Sequence, residues 1–246
     1  MQILLTVAYD GTNYAGWQRQ ENAVAVQEKL EDAISRLLSR DVIVRAASRT
    51  DAGVHALGQR ASFFAPDLRV PLERLPEVLS AFLPTDISVT AAQEVPENFN
   101  PGFDAKQKTY LYNIYNSPAP NPLVGRYSAF VPQKLNLAAM QQAAKSFVGK
   151  HDFTAFCATG GSAKTTVREI YFCETEKEHD LIKLKITGNG FLYNMVRIIA
   201  GTILYAGMGK ISPEKIPEII ASKKRENAGK TMPPHGLVLV EVKYSI

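Results

Sequence analysis

Cysteine is scarce in this sequence of 246 residues, where only two occur. Cys157 and Cys173 stand too far apart for the CxxC pattern of zinc-binding and redox-active proteins. Two isolated thiols are typical of proteins from a reducing compartment, where disulfides are rare. We therefore expect two reduced thiols in the core and a cytoplasmic protein.

A long apolar run is also lacking. The first ten residues contain no lysine or arginine and reach Asp10 too early for a signal peptide. The most apolar segment, residues 191–207, is shorter than the ~20 residues that a bilayer requires. It also contains Asn194 and Arg197, which are costly inside a membrane. We expect a buried helix here and no membrane span.

The sequence has no strong excess of charge of either sign, since its formal net charge is +4. This value permits an anionic partner such as RNA without requiring one. The sequence also lacks a glycine-rich phosphate loop, a dinucleotide-binding fingerprint and a His-Glu-x-x-His zinc helix. If the protein is an enzyme, we expect a reaction that uses neither a metal nor an organic cofactor.

What is present is a repeated order of strands and helices. Segments rich in strand-forming residues occur at 3–9, 42–47, 59–65, 87–95, 108–115, 166–175, 181–187 and 237–242. Segments with helical periodicity occur at 24–40, 72–82, 137–147, 191–207 and 213–222. The order predicts an α+β protein built from two tandem ferredoxin-like βαββαβ halves. Because Asn100-Pro101-Gly102 breaks any regular element, we place the division between residues 1–100 and residues 101–246.

The segment from Arg49 to Ala56 places an arginine, an aspartate and a histidine between two predicted strands. Asp51 is followed by Gly53, which lets the backbone turn sharply, and then by His55. Asp-Ala-Gly is also a common turn whose charges can simply be solvated. The pattern alone favours that simpler interpretation, so Asp51 becomes a catalytic candidate only with evidence from elsewhere in the chain.

Arg197 lies in a segment where nearly every other residue favours burial. A guanidinium keeps its proton, so a buried one requires an anionic partner. Asp51 is one candidate, and such a pair would lower the pKa of Asp51 and keep a usable nucleophile ionised. Two alternatives stay open: a structural salt bridge with another acid, and an arginine whose long stem reaches solvent.

Tyrosines alternate along the predicted strand that begins near Lys108. Tyr110 and Tyr112 share one face of this strand, next to Lys106 and Lys108. Aromatic rings stack on nucleic-acid bases and cations contact phosphates, which is how single-stranded or flipped nucleotides are held. The alternative is a half-buried strand rich in good β-formers.

Together these segments resemble the tRNA pseudouridine synthase A family, and the resemblance covers nearly the whole chain. The matching motifs, in chain order, are residues 9–18 (Tyr-Asp-Gly-Thr-Asn-Tyr-Ala-Gly-Trp-Gln), 49–56, 108–112, 150–156, 194–197 and 234–239. Each motif is weak alone, whereas six in order are highly specific. The resemblance implies a mixed or antiparallel sheet with a central RNA-binding cleft.

The resemblance implies an enzyme that isomerises uridine to pseudouridine within tRNA. Asp51 would be the nucleophile that allows the bond between uracil and ribose to break. Tyr110 would stack on the target base, and Arg197 would pair with Asp51. Arg49 would fill the space left by the flipped uridine, since a base inside a stem must be extruded before it can react. The further substrate-binding residues that the resemblance implies are His55, Lys108 and Leu237.

Proteins of this family are homodimers that modify uridines 38, 39 and 40 in the anticodon stem-loop, without metal or organic cofactor. The resemblance therefore implies tRNA and a second copy of this chain as partners. Three positions depart from the family pattern. Ser48 replaces a glycine, and Gly102 stands where an arginine for RNA contact is expected. Ala25 replaces a hydroxyl residue, which removes a helix N-cap that contributes about 1 kcal/mol.

Two other classes of function stay open. A non-catalytic RNA-binding protein on the same scaffold would use Asp51 only for structure. A carboxylate-dependent hydrolase of nucleosides or sugars would need a second acidic group nearby, and the Asp51 loop offers none. A hydrolase would also release free base, whereas an isomerase would not.

Overall fold

The computed structural model describes residues 1–161 and 163–245 and contains two compact units. The first unit is formed by Met1–Lys106 and Val238–Ile246, and the second by Gln107–Leu237. Each unit combines a β-sheet with helices, which confirms the predicted α+β class. The C-terminal segment, assigned to the second half from sequence, belongs to the first unit because its strand pairs there.

The elements of the chain up to residue 106 are β1 Gln2–Tyr9, α1 Val26–Leu38, β2 Arg45–Ala46, β3 His55–Phe64, α2 Leu75–Ser80 and β4 Ile87–Val95. This order is the predicted βαββαβ. The later elements are β5 Gln107–Tyr115, α3 Pro122–Gly125, β6 Ala129–Phe130, α4 Leu137–Lys145, β7 Gly149–Asp152, β8 Val167–Glu178, β9 Leu181–Gly188, α5 Met195–Gly207, α6 Ile216–Ser222 and β10 Leu237–Lys243. Three short elements, α3, β6 and β7, were not predicted from sequence.

In the first unit, β1 lies between β3 and β4 and is antiparallel to both. On the other edge of β3, β10 pairs in parallel through Val238 opposite His55, and β2 pairs antiparallel. Ile3 and Leu5 of β1 are completely excluded from water. Because β1 is buried and pairs with β3, it holds the start of β3 in a fixed position. The Asp51 loop ends directly before this strand.

The predicted strand at 42–47 is wrong for most of its length, because side chains of α1 bind its backbone amides. The amide of Val42 donates to Ser35 Oγ at 3.1 Å, and the amide of Val44 donates to Glu31 Oε1 at 3.0 Å. These bonds replace the strand hydrogen bonds that the valine pattern predicts. Only Arg45–Ala46 remain as β2.

The helix predicted at 24–40 is confirmed, with its ends moved inward. Ala25 is its N-cap and makes no side-chain capping bond, as its methyl side chain requires. Ser39 has φ 53°, a left-handed conformation that ends α1 at Leu38. Val26, Leu30 and Ile34 form the buried face of α1.

In the second unit, the strands are ordered β5-β9-β8-β7 and all neighbours are antiparallel, with β6 added in parallel at the end of β5. The predicted apolar helix is α5, whose residues are nearly all buried. It begins at Met195 instead of Phe191, because Asn194 has φ 59° and cannot continue a right-handed helix. Within the described ranges, every helix is too short or too polar to cross a membrane.

Candidate functional site

The loop that carries Asp51 is held by the segment that follows β1. The hydroxyl of Tyr9 lies 2.7 Å from Thr50 Oγ1 in a buried environment. The Trp17 amide donates to the Thr50 carbonyl at 3.0 Å, and the Gly53 amide donates to the Tyr14 carbonyl at 3.3 Å. Three bonds therefore fix the loop on both sides of Asp51.

Two glycines of the same segment allow this close approach. A Cβ added at Gly11 would lie 2.0 Å from the carbonyl oxygen of Val54. A Cβ added at Gly16 would lie 2.5 Å from the carbonyl oxygen of Thr50, and Gly16 has φ +98°. Both positions thus exclude side chains, and the motif at residues 9–18 serves to position the Asp51 loop.

The start of the loop is fixed by Gln59, whose side chain is fully buried in β3. Its Nε2 donates to the Ser48 carbonyl at 2.7 Å, and its Oε1 accepts from the Ser48 amide at 3.3 Å. Gln59 was not identified from sequence, because nothing in a strand pattern marks a glutamine as a loop anchor. Asp51 itself is half-buried at the turn that Gln59 and Thr50 hold.

His55 was predicted to contact substrate, and the structure places it in the core at the start of β3. The Gly11 amide donates to its Nδ1 at 3.0 Å. Asp10 Oδ1 lies 3.1 Å from the same nitrogen, but that oxygen already accepts from the amide and hydroxyl of Thr12. The contacts of Nδ1 hold the imidazole of His55 against the segment that follows β1. Its substrate contact stays a prediction.

Arg49 lies on the surface of the first unit. Its side chain is exposed. Within residues 1–161 and 163–245 it forms no hydrogen bond or ion pair through its guanidinium. The five donors of this guanidinium are therefore available to an external partner.

In the second unit, Tyr110 and Phe191 form a ring pair. Their centroids are 5.1 Å apart at an interplanar angle of 86°, which is an edge-to-face contact. Tyr110 is only 6% exposed. Lys108 precedes it on the same face of β5, and burial, with a smaller effect of Arg168, lowers the pKa of Lys108 to about 8.

Arg197 is half-buried on the first turn of α5. Its Nε donates to the Met232 carbonyl at 2.7 Å, and its Nη1 donates to Asn194 Oδ1 at 2.6 Å. The Met232 amide donates back to the Arg197 carbonyl at 3.2 Å. These bonds fix the direction of the guanidinium, and the left-handed Asn194 supplies one of them.

Two further glycines bring residues 229–232 against α5. A Cβ at Gly201 would lie 1.9 Å from the Lys230 carbonyl oxygen. The Gly229 amide donates to Thr202 Oγ1 at 2.8 Å. This close contact of the segment at residues 229–230 with α5 places the Met232 carbonyl oxygen within hydrogen-bonding distance of Arg197.

The chain after Met232 contacts β5, the strand that carries Tyr110 and Tyr112. Tyr112 donates its hydroxyl to the Pro233 carbonyl at 2.7 Å. Burial raises the pKa of the Tyr112 phenol, and the positive charge of Arg197 only partly opposes this. Tyr112 is therefore protonated and a donor at neutral pH. Leu237, predicted to contact substrate, is buried at the end of this segment as the first residue of β10.

The predicted residues thus fall into two groups. Arg49, Asp51 and His55 belong to the first unit. Lys108, Tyr110, Arg197 and Leu237 belong to the second. The pairing of Asp51 with Arg197 stays a prediction. Sequence reasoning missed the positioning roles of Tyr9, Thr50 and Gln59, and it missed Arg168.

Comparison with known proteins gives the same family as the motifs. A family model described as tRNA pseudouridine synthase matches residues 5–104 and 143–245. The tRNA pseudouridine synthase A of Ruminiclostridium cellulolyticum is 51% identical over 244 residues, which cover 99% of each chain. The protein of the same name from Caldicellulosiruptor saccharolyticus is 48% identical over 98% of this chain and 99% of its own.

A solved structure described as "Crystal Structure of a Cbf5-Nop10-Gar1 Complex" covers 96% of this chain and 57% of its own. Its TM-score is 0.36 at 11% identity, so it supports no argument here. The family model and the full-length relatives decide the assignment. On their evidence, and with the motif residues arranged as described above, this chain belongs to the tRNA pseudouridine synthase family.

Proposed function

We propose that this protein isomerises uridine to pseudouridine in the anticodon stem-loop of tRNA, at positions 38, 39 and 40. The observation that carries the proposal is the full-length similarity to tRNA pseudouridine synthase A proteins, at 51% identity over 99% of both chains. The tightly held Asp51 loop supports it, because a nucleophile requires a fixed position relative to its target.

Asp51 is the proposed nucleophile. In the reaction, the bond between N1 of uracil and C1′ of ribose breaks and a bond between C5 and C1′ forms. C5 loses its proton and N1 gains one, so the product has the same atomic composition as uridine. This balance needs no electron acceptor, and we propose that the reaction uses neither metal nor organic cofactor.

Tyr110 is proposed to stack on the target base and to assist removal of the C5 proton. Its buried hydroxyphenyl ring is held edge-on by Phe191, which favours one ring orientation. Arg197 is proposed to pair with Asp51 and to favour its ionised form. The bonds to Met232 and Asn194 support this role, since they restrict the guanidinium before substrate binds.

Arg49 is proposed to occupy the space that the flipped uridine leaves. Its exposed guanidinium can enter a helical stem and bond to the bases that lose a neighbour. Extrusion of a base costs a few kcal/mol, and contacts to backbone phosphates offset this cost. We also propose that the protein acts on tRNA as a homodimer.

Tritium release from an unmodified tRNA transcript that carries 5-tritiated uridine tests the function. Chelator-treated protein should release tritium, because rearrangement at C5 expels the label. Asp51→Asn should bind the transcript and release none. Asp41→Asn is the matched control, since Asp41 is exposed and its carboxylate has no partner in the described part of the chain; it should release tritium at the normal rate.

Two results would contradict the proposal. If folded wild-type protein binds tRNA but releases no tritium, the non-catalytic RNA-binding alternative is correct. If free uracil appears in place of pseudouridine, the protein is a hydrolase.

A further inference from the structure

Two cationic side chains share one end of the sheet in the second unit. Lys108 of β5 lies opposite Gly188 of β9, and Gly188 lies opposite Ile170 of β8. Arg168 is two residues before Ile170, and Tyr110 is two residues after Lys108. Because side chains alternate along a strand, Lys108, Tyr110, Ile170 and Arg168 lie on the same face of the sheet.

Gly188 lets β8 lie close to β9 at the position opposite Lys108. A Cβ at Gly188 would lie 2.7 Å from the Glu169 carbonyl oxygen and 2.9 Å from Ile170 Cδ1. The backbone and Ile170 side chain of β8 therefore occupy the space that a side chain of β9 would need. The charge of Arg168 reaches Lys108 strongly enough to lower its pKa further than burial alone does.

Arg168 is held in place by one nitrogen of its guanidinium, and the other two nitrogens carry three of its five N–H donors. Its Nη1 donates to the carbonyls of Thr165 and Val167, at 2.8 and 2.7 Å. In the described part of the chain, its Nε and Nη2 donate no hydrogen bond and no carboxylate pairs with it. The Nε lies 3.6 Å from the Cβ position of Gly190, the residue before Phe191. Arg168 thus presents a restrained donor edge beside the Tyr110–Phe191 ring pair.

We propose that Lys108 and Arg168 form a phosphate-binding subsite, which holds a backbone phosphate of the tRNA next to the nucleotide on Tyr110. This inference rests on the proposed function, because it takes tRNA as the substrate. Two partly buried cations on one face of the sheet make this end of the second unit positively charged, which favours an anionic ligand. A guanidinium edge fits the two oxygens of a phosphate, and the anions of RNA are its phosphates.

The position of the subsite agrees with a flanking nucleotide. Lys108 and Tyr110 are two residues apart on a strand, which is about 7 Å. This length suits a phosphate adjacent to a base on the tyrosine ring. The subsite would therefore hold the backbone in register while the uridine is flipped.

Binding of tRNA transcripts with a single neutral methylphosphonate, placed in turn at each position of the anticodon arm, tests the subsite. In the wild type, one position near the target uridine should weaken binding about tenfold when neutralised. In Lys108→Met and in Arg168→Met, a methylphosphonate at that same position should cause no further loss of tRNA affinity. Methylphosphonates at the other positions should weaken binding as they do in the wild type. The slope of log K against log salt should also fall by about 0.7–0.9 in each variant.

The controls separate charge, geometry and folding. Lys177→Met removes an exposed lysine of the same unit and should retain every methylphosphonate penalty. Arg168→Lys keeps the charge and loses the donor edge, so it should give an intermediate penalty. Thermal unfolding of each variant reports whether it is folded. The series of methylphosphonate transcripts measured with the wild type does not depend on the folding of any variant.

Two different failures can be distinguished with the same protein. If the wild type releases tritium but the variants retain the full penalty at every position, the subsite is overturned and the proposed function stands. If the wild type releases no tritium, the proposed function fails and the subsite fails with it.

Discussion

The hydroxyl of Tyr9 lies 2.7 Å from Oγ1 of Thr50, the residue directly before Asp51. Both groups are buried, and Tyr9 also packs against Trp17 with ring centroids 5.9 Å apart. This bond links the end of β1 to the residue that precedes the proposed nucleophile. Tyr9 is therefore a positioning residue that acts on Asp51 through Thr50.

Tyr9→Phe is expected to lower kcat roughly ten- to a hundredfold, since small displacements of a reacting group cost that much. The KM for tRNA should change little, because the phenol does not reach the surface. Stability should fall by about 1–2 kcal/mol, the cost of an unpaired buried hydroxyl. Tritium release and urea unfolding measure the two effects.

Tyr244→Phe is the matched control, because the Tyr244 hydroxyl donates to the Pro101 carbonyl at 2.9 Å in the same unit but away from the loop. It should lose stability without a loss of kcat. Equal losses of kcat in the two variants would remove the positioning role of Tyr9.

Gly16→Ala is expected to destabilise the first unit by roughly 3 kcal/mol or more. The new methyl group would meet the Thr50 carbonyl at 2.5 Å, and the positive φ adds about 1–2 kcal/mol. Gly160 has a similar φ of +93° with no atom within 4 Å of its Cβ position. Gly160→Ala should therefore cost only the conformational part. Denaturant unfolding of both variants checks the difference, and equal losses would show that the contact with Thr50 relaxes freely.

Lys108→Met is expected to stabilise the protein at pH 7, by on the order of 1–2 kcal/mol after allowance for partial exposure. The pKa of Lys108 is about 8 in the folded protein and 10.5 as a free side chain, so folding disfavours its charged form. The penalty is fully present below pH 8 and is lost as the pH rises to 10.5. Wild-type stability relative to the variant should therefore rise across this window.

Urea unfolding of the wild type and Lys108→Met at several pH values measures this effect. Lys177→Met, which removes an exposed lysine, should parallel the wild type at every pH. A variant less stable than the wild type at pH 7 would mean that the lysine is stabilised by an anion in the folded protein.

A double-mutant cycle tests the pairing of Asp51 with Arg197. If the two side chains pair, the free energies of unfolding of Asp51→Asn and Arg197→Gln should be non-additive by about 1–3 kcal/mol. Asp51→Asn with Arg225→Gln is the control, since Arg225 donates to the Gly229 carbonyl and to Thr231. Additivity within error in both cycles would exclude the pairing in the free protein.

Local patterns predicted the elements whose stability is local. The strand at 87–95 coincides with β4, and the apolar positions of α1 are the buried ones. The start of β3 was missed, because His55 and Ala56 become strand residues only through pairing with β10 and β1. The strand at 42–47 failed for the same kind of reason, since Glu31 and Ser35 compete for its amides.

The candidate site was predicted in part. The motifs identified Asp51, Tyr110 and Arg197 as candidates. Arg168 could not be found from sequence, because only the register of β5, β9 and β8 brings it near Lys108. The close contact at Gly201 was equally hidden, although a glycine inside an apolar helix is a signal of backbone approach.

The parallel pairing of β10 with β3 has a consequence for the order of events during synthesis. The strand that begins directly after the Asp51 loop receives this neighbour from a segment that follows the second unit in the chain. The first unit therefore remains incomplete while the whole second unit is made. A nascent or C-terminally truncated chain keeps the edge of β3 at His55 and Ala56 unpaired, and such an edge can join other chains. The edge of β3 at His55 and Ala56 is therefore covered only after the second unit has been made.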